Sequence, residues 1–300
     1  MEYVRRAIAA GLPVDDFAPR LSFFFAAHSD LFEEVAKFRA ARRLYARLMR
    51  DRFGANEASS KMRFHTQTGG VTLQAQQPLN NVVRVAIQAM AAVLGGTNSL
   101  HTNGYDEALA LPTEQAATLA LRTQQIIAHE SGAAVTADPL AGSYYVEHLT
   151  NELERRTLDL ISRVDALGGA SRAIEAGFLQ EEIGRSAYEL QMRIESKQVQ
   201  LVGVNAFTDD SATPVIPRPD FADLERGQIE RVQSVRATRD ATRVKEAVAN
   251  IAATAPAYLA GDSAKRDPLM PLIIEAVRAR TTVGEISDVL ATIWGTHRPA

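Results

Sequence analysis

Three short stretches of this sequence carry side chains able to do chemistry. In the first, Arg20, Ser22 and Phe24 alternate within the run 18–26. Alternate residues of a strand share one face, and a guanidinium fork beside a hydroxyl suits a phosphate or a carboxylate. In the second, His65 and Gln67 share a face of the alternating run 61–67 and lead into Thr68-Gly69-Gly70, where glycine lets a ligand approach the backbone. In the third, His101, Asn103 and Glu107 close a short strand, and a carboxylate there suits a hydroxyl or a sugar edge. Each stretch has a plainer structural alternative. These are an arginine paired with a structural carboxylate, a buried histidine satisfied by backbone, and an acidic residue at the start of a helix. His129-Glu130 and Glu147-His148 lack the His-Glu-x-x-His spacing, so no metal centre is expected. No residue is assigned as a catalytic group.

The elements that must position these residues follow from periodicity. A helix is expected at about 3–11, a strand at 18–26, and a helix from the Asp30 cap, with Glu33 three residues on, to about Arg52. Its arginines are expected on the solvent side. A strand at 61–67 precedes a helix at 80–94 whose apolar side is Val82, Val83, Ala86, Ile87, Met90, Val93 and Leu94. A short strand at 99–103 comes next. Helices then run from Thr113 to about Glu130, over 145–167 and over 179–197, with a strand-like segment at 199–204. Prolines mark a linker at 208–220, and the remainder is helical. The expected organisation is thus an α/β region at 1–207, a linker at 208–220 and a helical region at 221–300.

Strand, glycine loop and helix in alternation mean parallel strands with crossover helices, in a barrel or a doubly wound sheet. A closed barrel needs roughly 250 residues of alternation. Three or four units precede residue 145, so an open or incomplete barrel is expected.

Composition narrows the function classes. With 46% hydrophobic and 23% charged residues, the chain is neither wholly disordered nor collagen-like. Cysteine is absent, which excludes disulfides, thiolate metal sites and cysteine nucleophiles. A net charge of −3 gives no strong positive field for nucleic acid, and the Arg-rich stretch 226–243 reads as a solvated helix face. No apolar run is long enough to span a membrane. Charges at Glu2, Arg5, Arg6, Asp15 and Asp16 break any export-signal pattern. A cytoplasmic protein made without an export signal is expected.

Longer motifs add a resemblance. Phe17-Ala18-Pro19-Arg20-Leu21-Ser22-Phe23-Phe24, His65-Thr66-Gln67-Thr68-Gly69-Gly70 and Asn80-Asn81-Val82-Val83-Arg84 occur in order. Gly95-Gly96-Thr97-Asn98-Ser99-Leu100-His101-Thr102-Asn103 follows, then Asp106-Glu107-Ala108-Leu109-Ala110-Leu111-Pro112-Thr113. Ala137-Asp138-Pro139, Val202-Gly203-Val204-Asn205 and Thr282-Val283-Gly284-Glu285-Ile286 continue the series. Across essentially the whole chain this resembles the large, substrate-binding subunit of the coenzyme B12-dependent acyl-CoA mutases, which include methylmalonyl-CoA and isobutyryl-CoA mutases.

The resemblance implies the last strands of a (β/α)8 TIM-type barrel followed by a helical C-terminal region. It implies a radical 1,2-rearrangement of an acyl-CoA carbon skeleton with adenosylcobalamin shared with a partner subunit. By similarity, Arg20, Ser22, Phe24, His65 and Gln67 would bind the acyl-CoA. Gly70, Glu107, Ala108 and Ala110 would meet the cobalamin. Val71 stands where methylmalonyl-CoA mutases carry Trp, a form similar to the isobutyryl-CoA and hydroxyisobutyryl-CoA branch. The match is to the C-terminal half of the large subunit, and no Asp-x-His-x-x-Gly cobalt-ligand motif is present. The resemblance therefore implies an N-terminal mutase half and a cobalamin-binding subunit as partners. The alternative is a non-catalytic remnant, or an acyl-CoA-binding or assembly module.

Overall fold

Phenylalanine-rich alternation builds the sheet. The computed structural model describes residues 1–209, 220–259 and 267–296. Two short helices, α1 (Glu2–Ala9) and α2 (Val14–Phe17), lead into a tight turn over Ala18–Arg20. The sheet has three parallel strands, β1 (Phe23–Ala27), β2 (Phe64–Thr68) and β3 (Ser99–His101), in that order. Phe24 pairs with His65 and Ala26 with Gln67, while His65 pairs with Ser99 and Gln67 with His101. The crossovers are helices α3 (Leu31–Phe53) and α4 (Asn80–Leu94).

One face of the sheet is dry. Ala27 and Phe64 pack with Phe38 of α3 and Ala92 of α4, joined by Phe23, Phe25 and Leu100. The Phe38 and Phe64 rings stack at 5.2 Å, and Phe25 meets Phe64 edge-on at 5.5 Å. Gly95 leaves room for this cluster, since a Cβ there would lie 2.5 Å from Phe38 Cδ2. Asp30 caps α3 by accepting the Glu33 N–H at 3.2 Å, and Gly54 ends it in the left-handed region, where glycine is unstrained.

Three expectations are corrected here. The buried face of α4 is Asn81, Val85, Gln88, Ala89, Ala91 and Ala92, while Val83 and Ile87 are exposed. Small alanines let the helix lie close to the sheet. Its buried amides are bonded through their N–H groups, Asn81 donating to the carbonyls of Gln74 (2.8 Å) and Tyr105 (2.9 Å) and Gln88 to the hydroxyls of Thr72 (2.6 Å) and Ser29 (3.1 Å), while Gln88 Oε1 is buried with no partner among the described residues. The arginines of α3 do not all face solvent. Arg39 donates to Asp138 (2.9 Å), Glu147 (2.6 Å) and Thr150 (2.7 Å), and Arg43 and Arg47 both pair with the buried Glu154. These bonds fasten α3 to the long helix α6 (Tyr144–Ala166), which follows α5 (Glu114–His129). Finally, 199–204 is no strand. Asn205 takes the Leu201 N–H and donates to the Ile194 and Val199 carbonyls, folding the segment into turns with an isolated bridge from Val202 to Ala206. Two helices, α7 (Ala170–Glu175) and α8 (Phe178–Glu195), precede it.

The chain divides into two compact units, Met1–Pro219 and Asp220–Ala300. Most of the expected linker lies outside the described residues. The second unit contains α9 (Ala222–Thr238), α10 (Ala241–Thr254), α11 (Leu269–Arg278) and α12 (Val283–Trp294), with a core of Ile251, Leu269 and Ala276. Among the described residues no helix is long and apolar enough to cross a membrane.

Candidate functional site

The second face of the sheet is bare. Phe24 is 64% exposed, and Ala26, Ser99 and His101 are exposed while His65 and Gln67 are half-buried. Parallel sheets are ordinarily covered on both faces. Here helices cover one face, and the other presents an aromatic ring, imidazoles, an amide and a hydroxyl.

The strand alternation brings Phe24, His65 and Ser99 together. The Phe24 and His65 rings are 5.1 Å apart, and His65 Nδ1 is 2.7 Å from Ser99 Oγ. His65 is thus not a buried histidine satisfied by backbone. Ser99 was not singled out from the sequence. The signal is the β2–β3 register, which sets it opposite His65.

At the C-terminal ends of the strands a second group converges. Gln67 Nε2 donates to Asn103 Oδ1 at 2.8 Å. Asn103 is buried, donating from Nδ2 to the Thr68 carbonyl at 2.7 Å and from its backbone to Thr68 Oγ1 at 2.9 Å. Gly70 lies against this group. A Cβ there would overlap Glu107 Oε1 and stand 3.1 Å from Asn103 Nδ2, so the glycine is required for space. Glu107 occurs in the turn before α5 and is not at a helix start. Burial pushes its carboxyl above the usual carboxylate range, His101 pulls the other way, and Asp106 adds to the rise. Asp106 is itself fully buried. Its Oδ2 accepts the Thr113 N–H (2.9 Å) and hydroxyl (3.0 Å), and its carbonyl accepts the Leu109 and Ala110 N–H groups. Ala108 and Ala110 lie on this loop, with Ala108 exposed and Ala110 half-buried. Asp106 carries no signal of its own in the sequence, because its role depends on burial.

Arg20 and Ser22 are placed differently from expectation. Arg20 ends the 3-10 turn and Ser22 precedes β1, so neither is in the strand. Pro19 supplies no N–H for a ladder, and pairing starts when the Phe23 N–H meets the Arg63 carbonyl at 2.9 Å. Both residues are exposed at the N-terminal end of β1, the opposite end from Gly70 and Glu107. Among the described residues no carboxylate pairs with Arg20. The described residues also hold no cluster of three metal-ligating side chains. A groove of about 490 Å³ beside the β3 edge, lined by Leu100, Leu121, Gln124 and His129 among others, contains none of the expected site residues.

Comparison with known families decides the affiliation. The profile of the methylmalonyl-CoA mutase family matches residues 1–296. The chain belongs to that family. It is 49% identical over 299 residues to the 2-hydroxyisobutanoyl-CoA mutase large subunit of Aquincola tertiaricarbonis, covering 99% of this chain and 52% of that protein. It is 46% identical to methylmalonyl-CoA mutase of Rhizobium meliloti (strain 1021), covering 99% of this chain and 41% of that protein. The methylmalonyl-CoA mutase large subunit of Streptomyces virginiae is 43% identical, again over 99% of this chain and 40% of that protein. The chain thus spans about half, or less, of the length of these relatives. Its relatives are mutases, so it is a member of an isomerase family with an α/β fold.

Proposed function

We propose that this chain is the C-terminal part of the barrel of an adenosylcobalamin-dependent acyl-CoA mutase acting in the cytoplasm on a short acyl-CoA. The bare polar face of the sheet carries this reading. A face of Phe24, His65, Gln67 and Ser99 left open beside unpaired strand edges is a half-built barrel interior. An N-terminal mutase half would close it, and a cobalamin-binding subunit would cap the C-terminal strand ends.

The site is elongated, which suits an acyl-CoA. From Ser22 to the level of Gln67 is about 13 Å of strand. Arg20 and Ser22 would meet the charged or polar end of the coenzyme A, and Phe24, His65 and Gln67 would line the path to the acyl group. At the far end, Gly70, Ala108 and Ala110 offer small side chains beside the Glu107 carboxylate. That lining fits a large flat macrocycle whose adenosyl ribose needs a hydrogen-bond acceptor. When bound, adenosylcobalamin supplies the hydrogen-abstracting radical chemistry. This chain's residues hold the ligand, exclude water and orient the groups that face it.

The reading is tested by affinity capture of the tagged chain from its own cell extract, followed by assay. Recovery of an N-terminal mutase half and a cobalamin-binding subunit, with isomerised acyl-CoA formed once adenosylcobalamin is added, is expected. A properly assembled complex without turnover, or a folded chain that captures neither partner, refutes it.

A further inference from the structure

The outer side of α4 is apolar along its length. Leu79, Val83 and Ile87 are spaced four residues apart and form one ridge, 68%, 62% and 43% exposed. Val83 and Ile87 are the exposed residues of the helix itself, and Arg84 is its single charge. That guanidinium is engaged, donating to Asn81 Oδ1 and to the Val202 carbonyl, both at 2.7 Å. The neighbouring helices differ. Helix α3 exposes Glu33, Arg47 and Arg50, and α5 exposes Glu114 and Arg122. A helix that is apolar on every side belongs in an interior, so α4 needs a cover besides the sheet. The loop 199–209 extends the ridge. Gln77 Nε2 donates to the Phe207 carbonyl at 3.1 Å, and Arg84 holds Val202, so the loop is clipped to the start of α4. Phe207 has φ +51°, a left-handed conformation that a bulky residue rarely adopts, and it is 77% exposed. Strain of this kind persists only where the surroundings hold it. Here it presents an aromatic residue near the Leu79 end of the ridge.

We propose that this face is a two-fold interface between copies of this chain. Three features select a second copy. The ridge carries no charge, so it is complementary to itself, as a two-fold axis requires. Together with Val202, Leu79, Val83, Ile87 and Phe207 expose roughly 500 Å² on one copy, and a pair would bury on the order of 1,000 Å², the size at which specific interfaces begin. Ridges with four-residue spacing also interlock when two helices cross, here near Val83. The subunits proposed above leave this face open. A mutase half closing the barrel would join at the outer edges of β1 and β3, and α4 keeps this chain's own α3 and α5 as neighbours. A subunit capping the strand ends would meet the start of α4, whereas the ridge runs about 12 Å along the helix from Leu79 to Ile87.

The chain has no cysteine, so one introduced thiol reports contact between copies. In the full chain, Val83→Cys is expected to oxidise to a disulfide-linked dimer on a non-reducing gel. Ser162→Cys, exposed on α6, and Ala26→Cys, on the bare sheet face, are expected to stay unlinked. Sedimentation of the native full chain is expected to show a dimer. Val83→Glu sets two carboxylates against each other across the axis and should weaken that dimer about 100-fold, with circular dichroism unchanged because the position is exposed. Phe207→Gly removes the side chain and the strain together. It should weaken the dimer about tenfold without lowering the melting temperature, which a purely structural role would lower. A monomeric native chain overturns the inference. So does a dimer that Val83→Glu leaves intact, or one linked through Ala26→Cys and not through Val83→Cys, which would join copies by the open sheet. Loss of a different subunit on Val83→Glu, with no self-association, assigns the face to that subunit and overturns the inference as well. No arm uses acyl-CoA or cobalamin, so the mutase reading stands or falls separately.

Discussion

Glu285 offers a perturbation whose size can be worked out. Its carboxylate accepts two bonds from Arg239, at 2.7 and 2.5 Å, and closes a capping box at the start of α12 by accepting the Thr282 N–H at 2.8 Å. The Arg239 hydrogen bonds, helped by Thr282 and opposed by burial, bring its pKa from an ordinary 4.5 down to about 2. Linkage sets a ceiling of about 3 kcal/mol for such a lowering. The Glu285 side chain is 27% exposed, and screening there reduces the expected contribution to about 1–2 kcal/mol. Because the folded-state pKa is depressed, this stability is fully present above pH 4.5 and is lost as the pH falls toward 2. Glu285→Gln keeps the shape and removes the charge. The assay is denaturant unfolding of the full chain followed by fluorescence of Trp294, the single tryptophan, which lies in α12 and donates to the Ala255 carbonyl at 2.9 Å. The native chain should exceed Glu285→Gln by about 1–2 kcal/mol at pH 7, and the gap should narrow steadily from pH 4.5 to pH 3. An equal gap at pH 7 and pH 3, or none at pH 7, would refute the reasoning.

Other expectations are shorter. Phe38→Ala empties a fully buried ring site stacked on Phe64, and should destabilise the first unit by about 3–5 kcal/mol; a loss under about 1 kcal/mol in chemical denaturation would contradict the packing described. Asp106→Ala removes the acceptor of Thr113 and should raise hydrogen exchange across 107–113 while leaving β1 and β2 protected, as mass spectrometry would show. Glu107→Ala should weaken cobalamin retention by the assembled complex without changing subunit association; unchanged retention on gel filtration would reject the role proposed for Glu107.

The residues proposed for the site were legible in the sequence to different degrees. His65 and Gln67 could be placed on one face because a strand repeats every two residues. The caps at Asp30 and Thr113 were legible because capping is a local bond, and the structure shows both, Thr113 accepting the Ala116 N–H at 3.2 Å. Arg20 was misplaced because a proline-bearing turn and a strand start look alike when the partner strand is not known. Apolarity does not mark the buried side of α4, because a helix packed close against a sheet turns its small alanines inward and leaves Val83 and Ile87 exposed.

What the sequence determined by itself is therefore local or cumulative. The alternation, the caps, the glycine turns and the family motifs all lie within short windows, and these suffice to name the lineage. Pairing across the sheet was decided only in three dimensions. His65 meets Ser99, 34 residues away, because parallel register sets them opposite each other. Asn103 fixes Gln67 because the turn after β3 folds back onto Thr68. Gly70 is glycine because Glu107 occupies the space beside it. Such contacts depend on register and burial, which arise only when the crossover helices bring distant segments side by side.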